Sequence, residues 1–323
     1  MTPLRIGVLG CADIARRRMM PAMRELPATE LTAVASRDGA RAAEVAGAFG
    51  CRPVAGYDAL LARDDIDAVY VPLPAALHAR WVESALRAGK HVLAEKPLTT
   101  EPARTRELLV LAAERGLVLM ENVMFVHHGQ HAAVRKLLAD GAIGELRSFQ
   151  ATFTIPGLPD GDIRYRPELG GGTLWDNGVY PVRAALHFLG DGLRVIGATL
   201  DAGPGREVDT AGAALLRTPD GVSAQLSFGL DHGYRSVYEI CGTRGRLTVD
   251  RAFTPPADHI PVLRLERGSG TELIELDADD QVTATLAAFA AAVHEGTAAG
   301  HECLEQARLL DDIRRSASRS GRG

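Results

Sequence analysis

Short, almost uninterrupted apolar runs alternate with helical patterns through the first 122 residues. The runs are "LRIGVLG", "ELTAVAS", "DAVYVPL", "HVLAE" and "LVLME", and the spacing between them predicts helices over 13–25, 38–48, 75–88 and 101–115. Strands alternating with helices predict a parallel sheet with crossovers on both faces, and a strand covered on both faces has no reason to alternate with polar residues. In the helix over 75–88, Leu77, Trp81 and Ala85 form the stripe expected to be buried, and Gly89 closes it. After residue 145 the texture changes. Longer segments with polar alternation, "LRSFQATFTI", "TAGAALLRT", "VSAQLSFGL" and "SVYEICGTRGRLTVD", are separated by Gly, Pro and Asp turns and predict antiparallel meander strands. Helical patterns return at about 130–140, 173–188, 281–295 and 301–315.

Composition narrows the class of molecule. The chain has 323 residues, 46% of them hydrophobic, enough for two domains with their own cores. Its 36 Lys and Arg against 41 Asp and Glu give a formal net charge of -5, and no basic stripe is interleaved with aromatics, so nucleic acid is not an expected partner. Cys11, Cys51, Cys241 and Cys303 lie far apart with no metal-ligand spacing, which predicts reduced thiols and no metal site. No apolar run approaches the roughly 18 residues that a membrane span requires. "MTPLRIGVLG" enters a strand directly, so the expected address is the cytoplasm and no membrane partner is expected.

The first strand runs into "GCADIA". A dinucleotide-binding turn wants one glycine for the tight turn, a second small residue where the backbone approaches the pyrophosphate, and a third for close helix packing. Gly10, Ala12 and Ala15 stand at those places, with Ala12 replacing the second glycine; Gly10, Cys11, Ala12, Asp13 and Ile14 are therefore the expected pyrophosphate loop. The second strand ends in Ser36-Arg37, near where NAD-binding proteins carry an acid for the ribose diol. A hydroxyl and a guanidinium accept a 2'-phosphate that a carboxylate would repel, so Ser36, Arg37 and the nearby Arg41 favour NADPH. The competing reading is that both arginines are solvated. Together with the strand pattern this makes the expected fold class α/β: a doubly wound Rossmann domain over 1–122, then an α+β domain with an open, largely antiparallel sheet over 123–323.

"GKHVLAEKPLTT" ends a buried strand with two opposite charges and a proline. Ligands in an open parallel sheet sit beyond the carboxyl ends of the strands, so Glu95 and Lys96 are placed toward the reactive ring of a bound cofactor. Pro97 fixes its own φ and restricts Lys96 to extended conformations. The turn "VPLPAALH" adds Leu73, Pro74 and His78 as cofactor contacts; His78 is read as touching the cofactor ribose, with a solvated helix-start histidine as the alternative.

The glycine turn, the P-x-P turn, "AGKHVLAEKP", "ENVMF" and "GGGTLWDNGVYP" together resemble the Gfo/Idh/MocA family of NAD(P)-dependent sugar oxidoreductases, over nearly the whole chain. "HHGQH", "SFQATFTIPGLPDGDIRYRPELGGG" and "DNGVYPVRAA" look most like its NDP-hexose 3-ketoreductases of deoxysugar biosynthesis. The resemblance implies a Rossmann domain followed by a mixed α/β domain whose sheet face often makes dimers or tetramers. It also implies that the lysine of EKP, here Lys96, lies near the nicotinamide and the substrate carbonyl, with the partner acid or base on a helix after the GGG run, here Tyr180.

Asp176 and Tyr180 are four apart, one face of a helix, with Arg183 and His187 continuing the stripe. Gly178 and Pro181 weaken that helix; either it kinks there, as the resemblance favours, or it starts at Pro181. Reducing a ketone needs a proton donor at oxygen and positive charge for the developing alkoxide, which fits Tyr180 and Lys96, and a nearby ammonium lowers a phenol's pKa. Arg164 and Tyr165 are expected at a nucleotide diphosphate and its base, with Asp176 and Asn177 at the sugar; His127, His128 and His131 lack acidic or cysteine partners at metal-ligand spacing. The expected activity is NADPH-dependent reduction of the 3-keto group of a dTDP-3,4-didehydro-2,6-dideoxyhexose by a homodimer or homotetramer. The rivals are a free-sugar or polyol dehydrogenase, an NAD-dependent glycosidase of the same family, and a non-catalytic sugar-sensing regulator.

Overall fold

The computed structural model describes residues 2–297 and 300–320. The chain divides into two units, Met1–Val123 with Val282–Leu304, and Met124–Gln281 with Glu305–Gly323. The second domain expected from sequence runs unbroken from 123 to the C-terminus; in the structure a helical excursion after residue 281 rejoins the first unit. Cys303 is buried in that unit's core, and Gly300 lies against Leu109.

The first unit is built in strict alternation: β1 (Leu4–Leu9), α1 (Met20–Glu25), β2 (Thr29–Ser36), α2 (Gly39–Phe49), β3 (Arg52–Ala55), α3 (Tyr57–Leu61), β4 (Ala68–Val71), α4 (Ala75–Arg87), β5 (His91–Glu95), α5 (Pro102–Glu114) and β6 (Leu119–Asn122). All its strand pairs are parallel, in the order β3-β2-β1-β4-β5-β6. Order reverses between β1 and β4, the place where a doubly wound sheet opens a crevice beyond its carboxyl ends. The apolar strands are buried on both faces: consecutive residues Ala68, Val69, Tyr70 and Val71 of β4, and Val92, Leu93 and Ala94 of β5, are all buried. The helix expected over 13–25 widens into a π-turn over Ala15–Met19 before α1, a distortion that recurs at functional sites.

The second unit contains α6 (Gly129–Ala139), β7 (Leu146–Thr154), α7 (Thr173–Asp176), α8 (Val179–Leu189), β8 (Arg194–Asp201), β9 (Ala211–Arg217), β10 (Ser223–Gly229), β11 (Arg235–Gly242), β12 (Gly245–Asp250), β13 (Val262–Arg267) and β14 (Gly270–Glu275). Of the last two helices, α9 (Gln281–Glu295) belongs almost wholly to the first unit, and α10 (His301–Ser320) passes from the first into the second. The eight strands form one sheet, ordered β14-β13-β12-β11-β7-β10-β9-β8. It departs from a pure meander around β7, which lies between β11 and β10; the β7–β10 pair is parallel, because the chain leaves β7 through α7 and α8 before re-entering the sheet at its far edge. Helix α8 packs on β7 and β10, over an aromatic core that includes Phe149, Phe188 and Tyr238.

No helix among the described residues is long and apolar enough to cross a membrane.

Candidate active site

Gly10 follows β1 at φ +120°, a conformation that only glycine adopts without strain, and its N–H donates to the Ala35 carbonyl at 2.9 Å. A Cβ there would lie 3.1 Å from the Leu73 side chain, which puts the Gly10 turn beside the turn that follows β4. The expected pyrophosphate loop and Leu73-Pro74 thus flank the switch point of the sheet. At the end of β2, the Ser36 hydroxyl accepts the Asp38 N–H, and the Cys11 thiol faces the Arg41 carbonyl. Burial pushes the Cys11 thiol up, against the opposing pull of Arg41 and Arg16. Arg37 is exposed and its guanidinium lies beside the Tyr57 hydroxyl. Arg41 is ion-paired to Glu44 at 2.8 Å.

The one carboxylate that follows directly, Asp38, is engaged as the N-cap of α2, accepting the Ala40 and Arg41 N–H groups. A hydroxyl and two guanidiniums are what an anionic 2'-phosphate needs there, and the glycine turn leaves the backbone open for the pyrophosphate. The residues present fit a phosphorylated dinucleotide.

The EKP segment is held almost residue by residue. Glu95 Oε1 accepts both the Tyr70 hydroxyl and the Asn122 amide N–H at 2.7 Å. The Leu98 N–H donates to Glu121 Oε1 at 2.8 Å, and the Thr99 hydroxyl meets Thr105 at 2.8 Å. The Lys96–Pro97 peptide is cis, and Lys96 is half-buried. His78 is 1% exposed, with Nδ1 2.8 Å from the Pro97 carbonyl and Nε2 2.6 Å from the Leu73 carbonyl. This corrects the sequence expectation for His78, because both ring nitrogens already face protein carbonyls and none is offered to a ribose hydroxyl.

In the second unit, α7 and α8 are joined through Asn177 and Gly178, both in the right-handed helical region, so the path from 173 to 189 is helical with a break. Pro181 sits in the first turn of α8, where an N–H would have no intrahelical partner in any case. A Cβ on Gly178 would lie 2.6 Å from the Leu174 carbonyl, so the tight passage from α7 to α8 requires glycine. The Tyr180 ring packs edge-on to Phe153 with centroids 4.6 Å apart, and against Phe125 and Phe253. Arg183, expected on the same stripe, is buried, and its Nε donates to Gln306 at 2.7 Å.

Asp176 accepts Arg164 Nε at 2.7 Å, and Arg164 also pairs with Asp162. The two carboxylates, Asp176 first, raise the arginine's already high pKa further. The Asn177 amide, 1% exposed, donates to the Gly229 carbonyl. Tyr165 differs from expectation. It is 7% exposed, its hydroxyl donates to Asp231 and accepts the Leu158 N–H, and the Arg206 guanidinium covers its ring at 3.7 Å. The guanidinium thus takes one face of the ring, where the sequence reading placed a nucleotide base. Burial, with Asp231 second, pushes its phenol pKa up.

Asp209 was not legible. Its carboxylate accepts the Leu174 N–H at 2.7 Å and its carbonyl accepts the Thr173 N–H at 2.8 Å, capping α7 from 35 residues away. Burial raises its pKa, and these N–H contacts oppose the rise. Gly172, at φ +112°, makes room for it, since a Cβ would meet the Asp209 carboxylate at 2.5 Å. Asp162 had a local signal, an aspartate two residues before the Arg164 N–H that it accepts; Asp209, Asp231 and Arg206 had none. His128 and His131 are core material, and His127 is half-buried. His131 meets the Tyr238 hydroxyl through Nδ1 and the Ala252 carbonyl through Nε2, and His128 caps α6. Among the described residues no group of three His, Cys, Asp or Glu is arranged to hold a metal ion.

Residues 4–123 match the model of an oxidoreductase family with an NAD-binding Rossmann fold, and residues 131–248 match the GFO/IDH/MocA C-terminal domain. The chain belongs to the Gfo/Idh/MocA family. Among Gfo/Idh/MocA proteins it is 54% identical, over 98% of this chain and 96% of the relative, to dTDP-3,4-didehydro-2,6-dideoxy-alpha-D-glucose 3-reductase of Actinomadura kijaniata. It is 56% identical to the reductase of the same name from Streptomyces violaceoruber, covering 97% and 95% of the two chains. The crystal structure of a 3-ketoreductase from A. kijaniata in complex with NADP and TDP-benzene superposes with a TM-score of 0.95, at 53% identity, covering 97% of this chain and 98% of that one. That enzyme has also been crystallised with one tyrosine changed to phenylalanine and with one lysine changed to alanine.

Proposed function

We propose that this protein is an NADPH-dependent reductase of the C3 keto group of a dTDP-linked 3,4-didehydro-2,6-dideoxyhexose, with Lys96 and Tyr180 as its catalytic residues. Bound NADPH supplies the hydride to the carbonyl carbon. Tyr180 donates the proton that completes the alcohol, and the Lys96 ammonium stabilises the charge that develops on oxygen. Gly10 to Ile14 receive the pyrophosphate, and Ser36, Arg37 and Arg41 receive the 2'-phosphate. Arg164 and Asn177 stand on the sugar side with Asp176.

One observation carries the assignment of roles. The lysine and the tyrosine altered in the A. kijaniata enzyme are 84 positions apart, the same separation as Lys96 and Tyr180, in a relative that covers nearly the whole chain. The Ser36-Arg37 strand end supports the phosphorylated cofactor over NADH. A cytoplasmic homo-oligomer assembled through the open face of the second unit's sheet completes the reading, and light scattering of the purified protein tests its assembly state.

The test is to mix the protein with NADPH and freshly generated dTDP-3,4-diketo sugar and follow the loss of nicotinamide absorbance. Tyr180→Phe and Lys96→Ala are each expected to lower turnover at least about a hundredfold, the usual loss for a positioned acid or an electrostatic stabiliser. Full turnover in either variant removes the role given to that residue. Turnover of free sugars without the nucleotide diphosphate, or bound cofactor with no net consumption, would favour the dehydrogenase or the glycosidase instead.

A further inference from the structure

His78 is not a ligand-contacting residue by geometry, yet its position is hard to explain as packing. The imidazole is buried between two turns of the first unit, the one after β4 and the one after β5, with a backbone carbonyl opposite each ring nitrogen: Pro97 at 2.8 Å from Nδ1 and Leu73 at 2.6 Å from Nε2. Carbonyl oxygens only accept, so each contact is a hydrogen bond only if the nitrogen facing it carries a proton. Pro97 directly follows Lys96, and Leu98 and Glu95 on either side are held by Glu121, Tyr70 and Asn122. The Pro97 carbonyl and the Leu98 N–H are the two polar ends of one peptide unit, so His78 and Glu121 hold that unit from opposite ends, one residue beyond the lysine. Proline has no N–H of its own, so its carbonyl is the backbone group through which that residue can be fixed.

We infer that His78 is a positioning residue for Lys96: with the ring's proton on Nδ1, it donates to the Pro97 carbonyl and thereby aims the lysine ammonium. This rests on the catalytic role proposed for Lys96. A misplacement of about 1 Å in a catalytic group can cost a hundredfold in rate, so a ring that touches no reactant can still govern turnover.

The experiment is a double-mutant cycle on the full-length enzyme with NADPH and the dTDP-diketo sugar. His78→Leu is expected to lower kcat roughly thirtyfold in the otherwise native enzyme and by less than about twofold in Lys96→Ala, because the misaimed group is already gone. His78→Asn, whose amide nitrogen can replace Nδ1, is expected to keep kcat within about fivefold, whereas His78→Gln, which reaches the Nε2 position, behaves like His78→Leu. A residue that served stability alone would give equal losses in both backgrounds and no Asn-over-Gln order, and either result overturns the inference. A low rate in Lys96→Ala with additive His78→Leu losses overturns the positioning role alone; full activity in Lys96→Ala overturns it together with the role of the lysine. A second measurement needs no variant to fold: nitrogen-15 spectra of histidine-labelled native enzyme are expected to show His78 with a proton on Nδ1. A neutral ring with Nδ1 bare, its lone pair facing the Pro97 carbonyl, would sink the proposal.

Discussion

The surroundings of Lys96 and of Tyr180 are held by different physics. Around Lys96 the fixing groups are hydrogen bonds from neighbouring strands and turns of one parallel sheet: Tyr70 at the end of β4, Asn122 and Glu121 at the end of β6, His78 in α4. Around Tyr180 the ring is held by aromatic contact with Phe125, Phe153 and Phe253, and α7, the short helix that leads into its own, by a cap from Asp209. A hydrogen-bonded mount has redundant, individually modest links; a packed mount depends on shape, and a single added methyl can displace it. The lesson is that, in folding stability, the lysine side should tolerate the loss of any one partner better than the tyrosine side tolerates a change in volume.

The sharpest attempt to break that contrast is Gly172→Ala. The left-handed backbone costs about 1 to 3 kcal/mol for a non-glycine residue, and the new Cβ would meet the Asp209 carboxylate at 2.5 Å, so a loss of about 3 kcal/mol in urea denaturation is expected, with turnover falling alongside. Unchanged stability would show that the cap on α7 does not matter.

A smaller effect comes from acid. His131 is fully buried, and burial, followed by the charges of His187 and His128, pushes its pKa well below the usual 6.5. The unfolded chain takes up that proton near its ordinary value and the native state does not, so stability is full above about pH 6.5 and falls as the pH drops below it, toward the lower native value. The slope for this one residue is at most about 1.4 kcal/mol per pH unit. His131→Gln is expected to flatten the decline between about pH 6.5 and 5, measured by urea midpoints at each pH; an unchanged slope assigns the acid sensitivity to other groups.

The smallest change is predicted on the lysine side. Tyr70→Phe removes one of two donors to Glu95 and leaves Asn122 in place, so stability should fall by about 1 kcal/mol and NADPH affinity by less than about fivefold, read by nicotinamide fluorescence. A loss as large as that of Gly172→Ala would erase the contrast between the two mounts.

Much of the first unit was legible because its signals are local. A parallel strand buried on both faces shows an unbroken apolar run, a phosphate turn demands glycine at one position, and a strand end places Glu95 and Lys96 in adjacent residues. His78 was found as a site residue and given the wrong neighbour, because sequence shows that a histidine starts a helix and not that the Pro97 carbonyl will lie opposite its ring. In the second unit the periodicity found β7, β9, β10, the stretch that holds β11 and β12, and the helical stretch around Tyr180, but not β8, β13 or β14. It missed the parallel pairing of β7 with β10, the cap from Asp209, and Arg206 covering Tyr165.

The sequence by itself determined most of the strands and helices, the glycine turn, the charged strand end and the family to which the chain belongs. These depend on residues a few positions apart, whose spacing acts through backbone geometry alone. Only the tertiary structure decided which carboxylate caps α7, which ring a guanidinium covers and which carbonyls His78 binds. Those contacts join residues brought together by sheet order and packing, and a pairing across 35 or 41 positions leaves no periodic trace along the chain.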